Sequence, residues 1–335
     1  MIEVRNIYEG ARKMDFTKKA KKILSGIILF FSFVSILTGC TAGTKAAIEE
    51  PSRFFYRFTD SLGNSIQLIE KPQRVVSLVG SYAETWLLAG GTLSGVTSDV
   101  ISERNLDLPK ETKIIGTVKE PNLEEIINLS ADFVLLSPDI ESHVRISQTL
   151  ENANIPFAFF KVEHFDDYLE MLKICTDITE KKEMYEKYGL KVKDQIEGIT
   201  DRVAGKKNPT ILLIRAFSSG AKAKDDENMA CKILNDLGTV NIASKHRSLL
   251  EDLSIEEIIR EDPDFIFVVT MGNAEEALKA LKDGIEKNPV WSRLSAVKNN
   301  RYIVLPKELF HYKPNARWGE SYEYMAKILY PEEFE

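Results

Sequence analysis

The chain has 335 residues, with 44 Lys+Arg against 51 Asp+Glu, a net charge of −7 and 44% apolar residues. That length holds about two ordinary domains, the apolar share excludes intrinsic disorder, and the acidic balance argues against nucleic-acid binding, which shows basic patches. Three cysteines cannot build a disulfide scaffold.

From Met14 the chain runs through Lys18, Lys19, Lys21 and Lys22 into an apolar stretch over 23–37, then Thr38-Gly39-Cys40. A run of ~15 apolar residues behind a basic segment suits a signal peptide better than a membrane span of about 20. The order resembles the bacterial lipobox, which implies that Cys40 takes a diacylglycerol and becomes the new N-terminus. Residues 1–39 are then a lipoprotein signal peptide, starting at Met1 or Met14, and 40–53 a flexible tether. A single transmembrane anchor is the alternative. The chain from Cys40 onward carries 37 basic and 48 acidic residues, a net of −11.

Past the tether, 54–60 and 65–69 predict a short hairpin around Gly63-Asn64. The β-branched run 74–79 leads into Ser81-Tyr82-Ala83-Glu84, spaced as a helix capping box, and Gly90-Gly91 ends that helix. Strand-like 133–136 and 157–160 alternate with helix-like 141–152 and 166–176, the pattern of an α/β lobe with a mostly parallel sheet over 54–180.

Residues 122–136 align without gaps on 254–268, 132 positions later. Each copy starts at an N-cap residue, Asn122 or Ser254, and runs through a helix and a tight turn into a strand. Two such units imply two equivalent lobes. Between them, 181–208 is charged and helix-favouring, and its stretch 181–204 would make one rod of about 36 Å. The second lobe, 209–335, starts with strand-like 210–214 and ends with a helix near 318–330.

The segments Asp60-Ser61-Leu62-Gly63, Pro72-Gln73-Arg74-Val75-Val76-Ser77, Ser81-Tyr82-Ala83-Glu84, Asn122-Leu123-Glu124-Glu125-Ile126 and Ser254-Ile255-Glu256-Glu257-Ile258, in this order and behind a lipobox, resemble the substrate-binding lipoproteins of ABC importers for ferric siderophores, haem and cobalamin. The resemblance implies an α/β fold of two Rossmann-like lobes bridged by a single long helix, with ligand in the cleft between them. It also implies an extracytoplasmic, lipid-anchored monomer that delivers an iron-siderophore, or alternatively haem or cobalamin, to an ABC permease. Glu124 and Glu256 match the carboxylates with which that family docks on permease arginines. Placed symmetrically at two helix starts, they can also simply favour their own helices.

Ligands of open α/β sheets meet the loops at the carboxyl ends of strands. These loops nominate Tyr82 in the first lobe and Arg215, Phe217, His311, Tyr312, Lys313, Arg317 and Trp318 in the second. Arg215 follows the apolar run 211–214, where a charge needs an anionic ligand or an internal carboxylate. His311 or Tyr312 could ligate haem iron; a siderophore already satisfies its iron, so no metal ligand and no cofactor are expected. Cys175 and Cys231 read as buried thiols. The four histidines, His143, His164, His246 and His311, lack metalloprotease spacing, and no nucleophile elbow or phosphate loop is present. An enzyme is therefore not expected; a cell-surface hydrolase or chelatase is the contrasting class.

Overall fold

A computed structural model of the chain describes residues 54–335; the expected signal peptide, tether and Cys40 lie outside the described residues. The hairpin is present as β1 (Tyr56–Thr59) and β2 (Ser65–Leu68), antiparallel. The Asp60 carboxylate accepts hydrogen bonds from the Leu62, Asn64 and Phe159 amides, so it closes the turn and ties the hairpin to the first sheet.

That sheet comprises β3 (Val75–Ser77), β4 (Gly95–Val96), β5 (Lys113–Ile114), β6 (Phe133–Leu136) and β7 (Phe157–Phe159). All pairings are parallel, in the order β5-β4-β3-β6-β7. The second sheet comprises β8 (Thr210–Phe217), β9 (Gly220–Ala223), β10 (Val240–Asn241), β11 (Phe265–Thr270) and β12 (Tyr302–Val304). Its order is β10-β8-β11-β12, parallel, with β9 antiparallel on the end of β8.

The sequence repeat falls on helix Leu123–Asn128 with β6, and on helix Ile255–Glu261 with β11. The equivalence extends to side chains. Asp132 accepts from the Gln73 and Arg74 amides just before β3, and Asp264 accepts from the Thr210 amide at the start of β8. Each aspartate precedes a central strand and fixes its register against the neighbour.

Central strands are apolar on both faces, as buried parallel strands must be, and alternation sorts those faces into three clusters. Val76, Val134 and Leu136 face a core private to the first lobe. Leu212, Ile214 and Ile266 face one private to the second. Phe133, Leu135, Ile211, Leu213 and Phe267 face a third cluster that both lobes share.

The expected rod is continuous but not uniform: helix Lys182–Tyr185, a π-turn over Glu186–Leu190, then helix Lys191–Val203. The wide turn centres on the one buried residue of that segment, Gly189. A Cβ there would sit 2.8 Å from Leu169 Cδ1, a side-chain methyl that would have to shift, so the glycine lets helix Phe165–Thr179 pack closely. Val192, Ile196, Ile199 and Val203 then face the shared core, together with Trp318, Tyr322 and Met325 of the last helix, Trp318–Leu329.

Gly116 begins the turn that leads to the Asn122 cap. Its φ is +105°, and a Cβ would lie 2.4 Å from the Glu120 carbonyl oxygen, a backbone atom that cannot step aside. Gly116→Ala should therefore destabilise by more than about 1 kcal/mol, whereas Gly198→Ala, on an exposed helix face with open space around it, should stabilise by about 0.5–1 kcal/mol. Urea unfolding of the two variants checks both signs.

Candidate functional site

Helix Gly80–Leu88 follows β3, but the predicted Ser81–Glu84 capping box is not formed. The first amide of the helix, Gly80 N–H, donates instead to Asp99 Oδ2 (2.6 Å), a carboxylate that also accepts from Thr97 Oγ1 (2.6 Å). With the cap supplied from outside, Glu84 is free for another task. It pairs with Arg104 and accepts from Asn315 Nδ2 (2.8 Å) of the second lobe. Arg104 Nη2 donates to the Lys313 carbonyl (2.7 Å), and Asn315 Nδ2 also to the Ser81 carbonyl (3.0 Å). Residues 313–315 are thus strapped onto the first lobe.

The strapped loop places Lys313, and His311 just before it, near two cations of the second lobe, Arg215 near the end of β8 and Lys224 just after β9. Among the described residues none of these four forms an ion pair. Arg215 Nε and His311 Nδ1 are buried without hydrogen-bond partners. Burial depresses the Arg215 guanidinium and, with the nearby Arg215 charge, the Lys224 ammonium. His311 is pushed down to about 4, by burial first and then by Arg215, Lys307 and Lys313. Burial also lowers Lys313, opposed by Glu163, Asp139 and Asp167 of the first lobe. The cations of the second lobe therefore lie near acidic groups of the first. Phe217 and Tyr312 are half-buried, and the Tyr312 ring lies 5.2 Å from His311 with the Lys307 ammonium 5.3 Å from its centroid.

Three expected ligand residues are placed elsewhere. Tyr82 is 3% exposed, its hydroxyl donating to the Phe160 carbonyl, because a helix starting at Gly80 turns it onto the core; burial raises its phenol. Arg317 is exposed and held by Glu320 one turn on (2.8 Å). Trp318 is fully buried and meets Phe165 edge-on at 6.1 Å, a lobe-to-lobe packing contact. Lys224, Glu84, Arg104 and Asn315 were missed by sequence reasoning. Only Glu84 had a signal, a charge on the inner turn of an otherwise apolar helix.

Glu124 and Glu256 are exposed at the second positions of their helices. Asn122 Oδ1 accepts from the Glu125 amide (3.2 Å) and Ser254 Oγ from the Glu257 amide (3.4 Å), so both N-caps form as the repeat predicts. Cys175 and Cys231 are buried free thiols, and burial raises both.

His143 ties two cleft loops together. Its Nδ1 accepts from the Ser137 amide (3.1 Å), which leaves Nε2 as the donor to the Val118 carbonyl (2.8 Å). This neutral tautomer is fixed from both sides, and burial holds its pKa down.

A profile of the periplasmic binding protein family matches residues 75–309. The chain belongs to this family. The Bacillus subtilis putative ABC transporter substrate-binding lipoprotein YhfQ is 24% identical over 289 residues, covering 82% of this chain and 87% of YhfQ. The Fe(3+)-citrate-binding protein YfmC of the same organism is 25% identical over 299 residues, covering 85% and 89%. Among solved structures, Staphylococcus aureus IsdE complexed with heme superposes with a TM-score of 0.64 at 19% identity, covering 77% of this chain and 98% of IsdE. The fold of two Rossmann-like lobes bridged by a helix is shared with IsdE.

Acid should weaken the fold through its two depressed imidazoles. The unfolded chain takes up these protons near pH 6.5, while folded His311 does so at about 4, and folded His143 also lies below its ordinary value. Their contribution is fully present above about pH 7 and is lost as pH falls through that window, because the unfolded state then binds more protons. The drop in urea midpoint from about pH 7.5 to about pH 5 should be smaller in His311→Gln than in the parent.

Proposed function

We propose that this protein is the substrate-binding component of an ABC importer and captures a ferric chelate with anionic oxygens between lobes 54–180 and 209–335, on either side of 181–208. The observation that carries this reading is Arg215, a half-buried guanidinium with no counter-charge among the described residues and with Nε buried and unbonded. Such a group is costly unless it meets an anion, and its planar fork matches carboxylate or catecholate oxygens. Lys313 and Lys224 add positive charge beside it, and Phe217, Tyr312 and the neutral His311 complete the site. The similarity to YfmC, an Fe(3+)-citrate-binding protein, supports an iron complex bearing carboxylates.

Haem is the second reading, favoured by one observation. His311 Nδ1 has no partner and the ring is neutral at physiological pH, the state in which imidazole ligates iron. IsdE, with haem in its structure, shares the fold. In either case the ligand is carried and released unchanged, so no catalysis is assigned.

Delivery completes the function. Cys40 takes a lipid and holds the monomeric protein at the outer face of the cytoplasmic membrane; among the described residues no helix is long and apolar enough to cross one. Glu124 and Glu256 meet cations of the permease, each from the start of an equivalent helix.

Calorimetric titration with ferric citrate, ferric siderophores, haemin and cobalamin tests the cleft. Arg215→Ala should cost about 1–3 kcal/mol of affinity for an anionic ligand, with Arg317→Ala unchanged because Glu320 already holds that side chain. Tightest binding to cobalamin with no loss in Arg215→Ala would overturn the anionic-ligand reading. For delivery, Glu124→Ala combined with Glu256→Ala should abolish uptake into cells while leaving ligand affinity as it was. Normal transport by the double variant would refute the docking assignment.

A further inference from the structure

Away from the cleft, on the second lobe, three metal-ligating side chains converge that sequence spacing did not bring together. Glu257 and Glu261, one turn apart, lie on the same face of helix Ile255–Glu261. His246 reaches them from the junction between the short helices Ile242–Lys245 and Arg247–Asp252. Its Nδ1 is 3.0 Å from Glu257 Oε1 and its Nε2 3.1 Å from Glu261 Oε1. One ligand atom from each residue lies within 4.8 Å of the other two. The side chains are 22%, 12% and 29% exposed, so the cluster is half-withdrawn from water but open on one side.

We propose that His246, Glu257 and Glu261 form a binding site for a divalent transition metal of the zinc type, independent of what the cleft carries. Zinc bonds of about 2.0–2.2 Å to nitrogen and oxygen set neighbouring ligand atoms roughly 3 Å apart, the separation between each imidazole nitrogen and the carboxylate facing it, while one ligand atom from each of the three residues already lies within 4.8 Å of the others. One imidazole nitrogen takes the ion, and the carboxylate facing the other nitrogen swings in by rotation about its side-chain bonds. One histidine and two carboxylates leave a fourth position for water, the donor set of an open zinc site. A mixed imidazole and carboxylate set favours zinc over magnesium, which prefers oxygen ligands alone and keeps its waters.

The ion has a competitor on the same helix. Arg260 contacts Glu257 and lies 3.8 Å from Glu261 Oε1, with its side chain 65% exposed. In the metal-free state its guanidinium neutralises the two carboxylates; metal binding displaces it into solvent. The site thus differs from an ion-pair network in a way that can be measured, because removing Arg260 weakens a network but frees a metal site.

The probe is zinc chloride, titrated into the full chain at about pH 7.5 and followed by calorimetry, with cobalt absorption as a second readout. The expected result is one saturable site whose affinity falls at least tenfold in Glu261→Gln and in His246→Ala, rises several-fold in Arg260→Ala, and is unchanged in Arg215→Ala. Magnesium at millimolar concentration should not compete. Glu261→Gln keeps the shape of a partly exposed side chain, so its result stands even if His246→Ala folds poorly. Zinc binding that is equal in Glu261→Gln and the parent, or the lack of any saturable binding, overturns the proposal. So does weaker binding in Arg260→Ala.

Discussion

The seam between the two sheets is apolar along its length, with Phe133 and Leu135 on one side, Ile211, Leu213 and Phe267 on the other, and Ile196, Ile199, Trp318 and Tyr322 filling the space between. Because strand residues alternate faces, each central strand gives half of its side chains to a core of its own lobe and half to this common one. A lobe cannot swing far without exposing these residues to water, at a cost of about 25 cal/mol for each Å² uncovered. The cleft is therefore largely pre-formed, and small adjustments in its loops are the movement left to it.

That fixed frame explains how unpaired cations persist in the cleft. Arg215 sits on a strand paired on both sides, and no carboxylate among the described residues pairs with it. Lys313 is held by its backbone, through the Arg104 bond to its carbonyl. The acidic groups nearest to it, Glu163, Asp139 and Asp167, belong to the opposite wall. Asp167 is already engaged, accepting from the Glu163 and His164 amides. The charge separation between the two lobes is thus maintained by packing, and an anionic ligand of the kind proposed above would relieve it.

Much of the architecture was legible in the sequence because it rests on local grammar. The repeat of 122–136 at 254–268, the N-caps at Asn122 and Ser254, the hairpin at Gly63-Asn64 and the alternation of strands and helices all follow from short-range spacing. The site was less legible, because its members are set by partners far away in the chain. Ser81 has the spacing of a cap, but Asp99 reaches Gly80 first, and that places Tyr82 in the core. Arg317 looks free until Glu320 is seen to hold it. Glu84, Arg104 and Asn315 meet across separations of 20 to 231 residues, and no pattern in the chain announces such a meeting.

The π-turns bear on how this chain tolerates changes in length. Glu186–Leu190 and Lys282–Glu286 each hold one residue more than an α-helical turn would. An insertion or deletion inside an ordinary helix rotates everything beyond it by about 100° and turns its buried stripe to solvent. Loss of a single residue at Glu186–Leu190 would instead tighten it to α-helix and leave the face of Lys191–Val203 in place. The bridging helix can therefore shorten by one residue without losing register with the core, which makes this turn a place where related chains can differ in length at little cost.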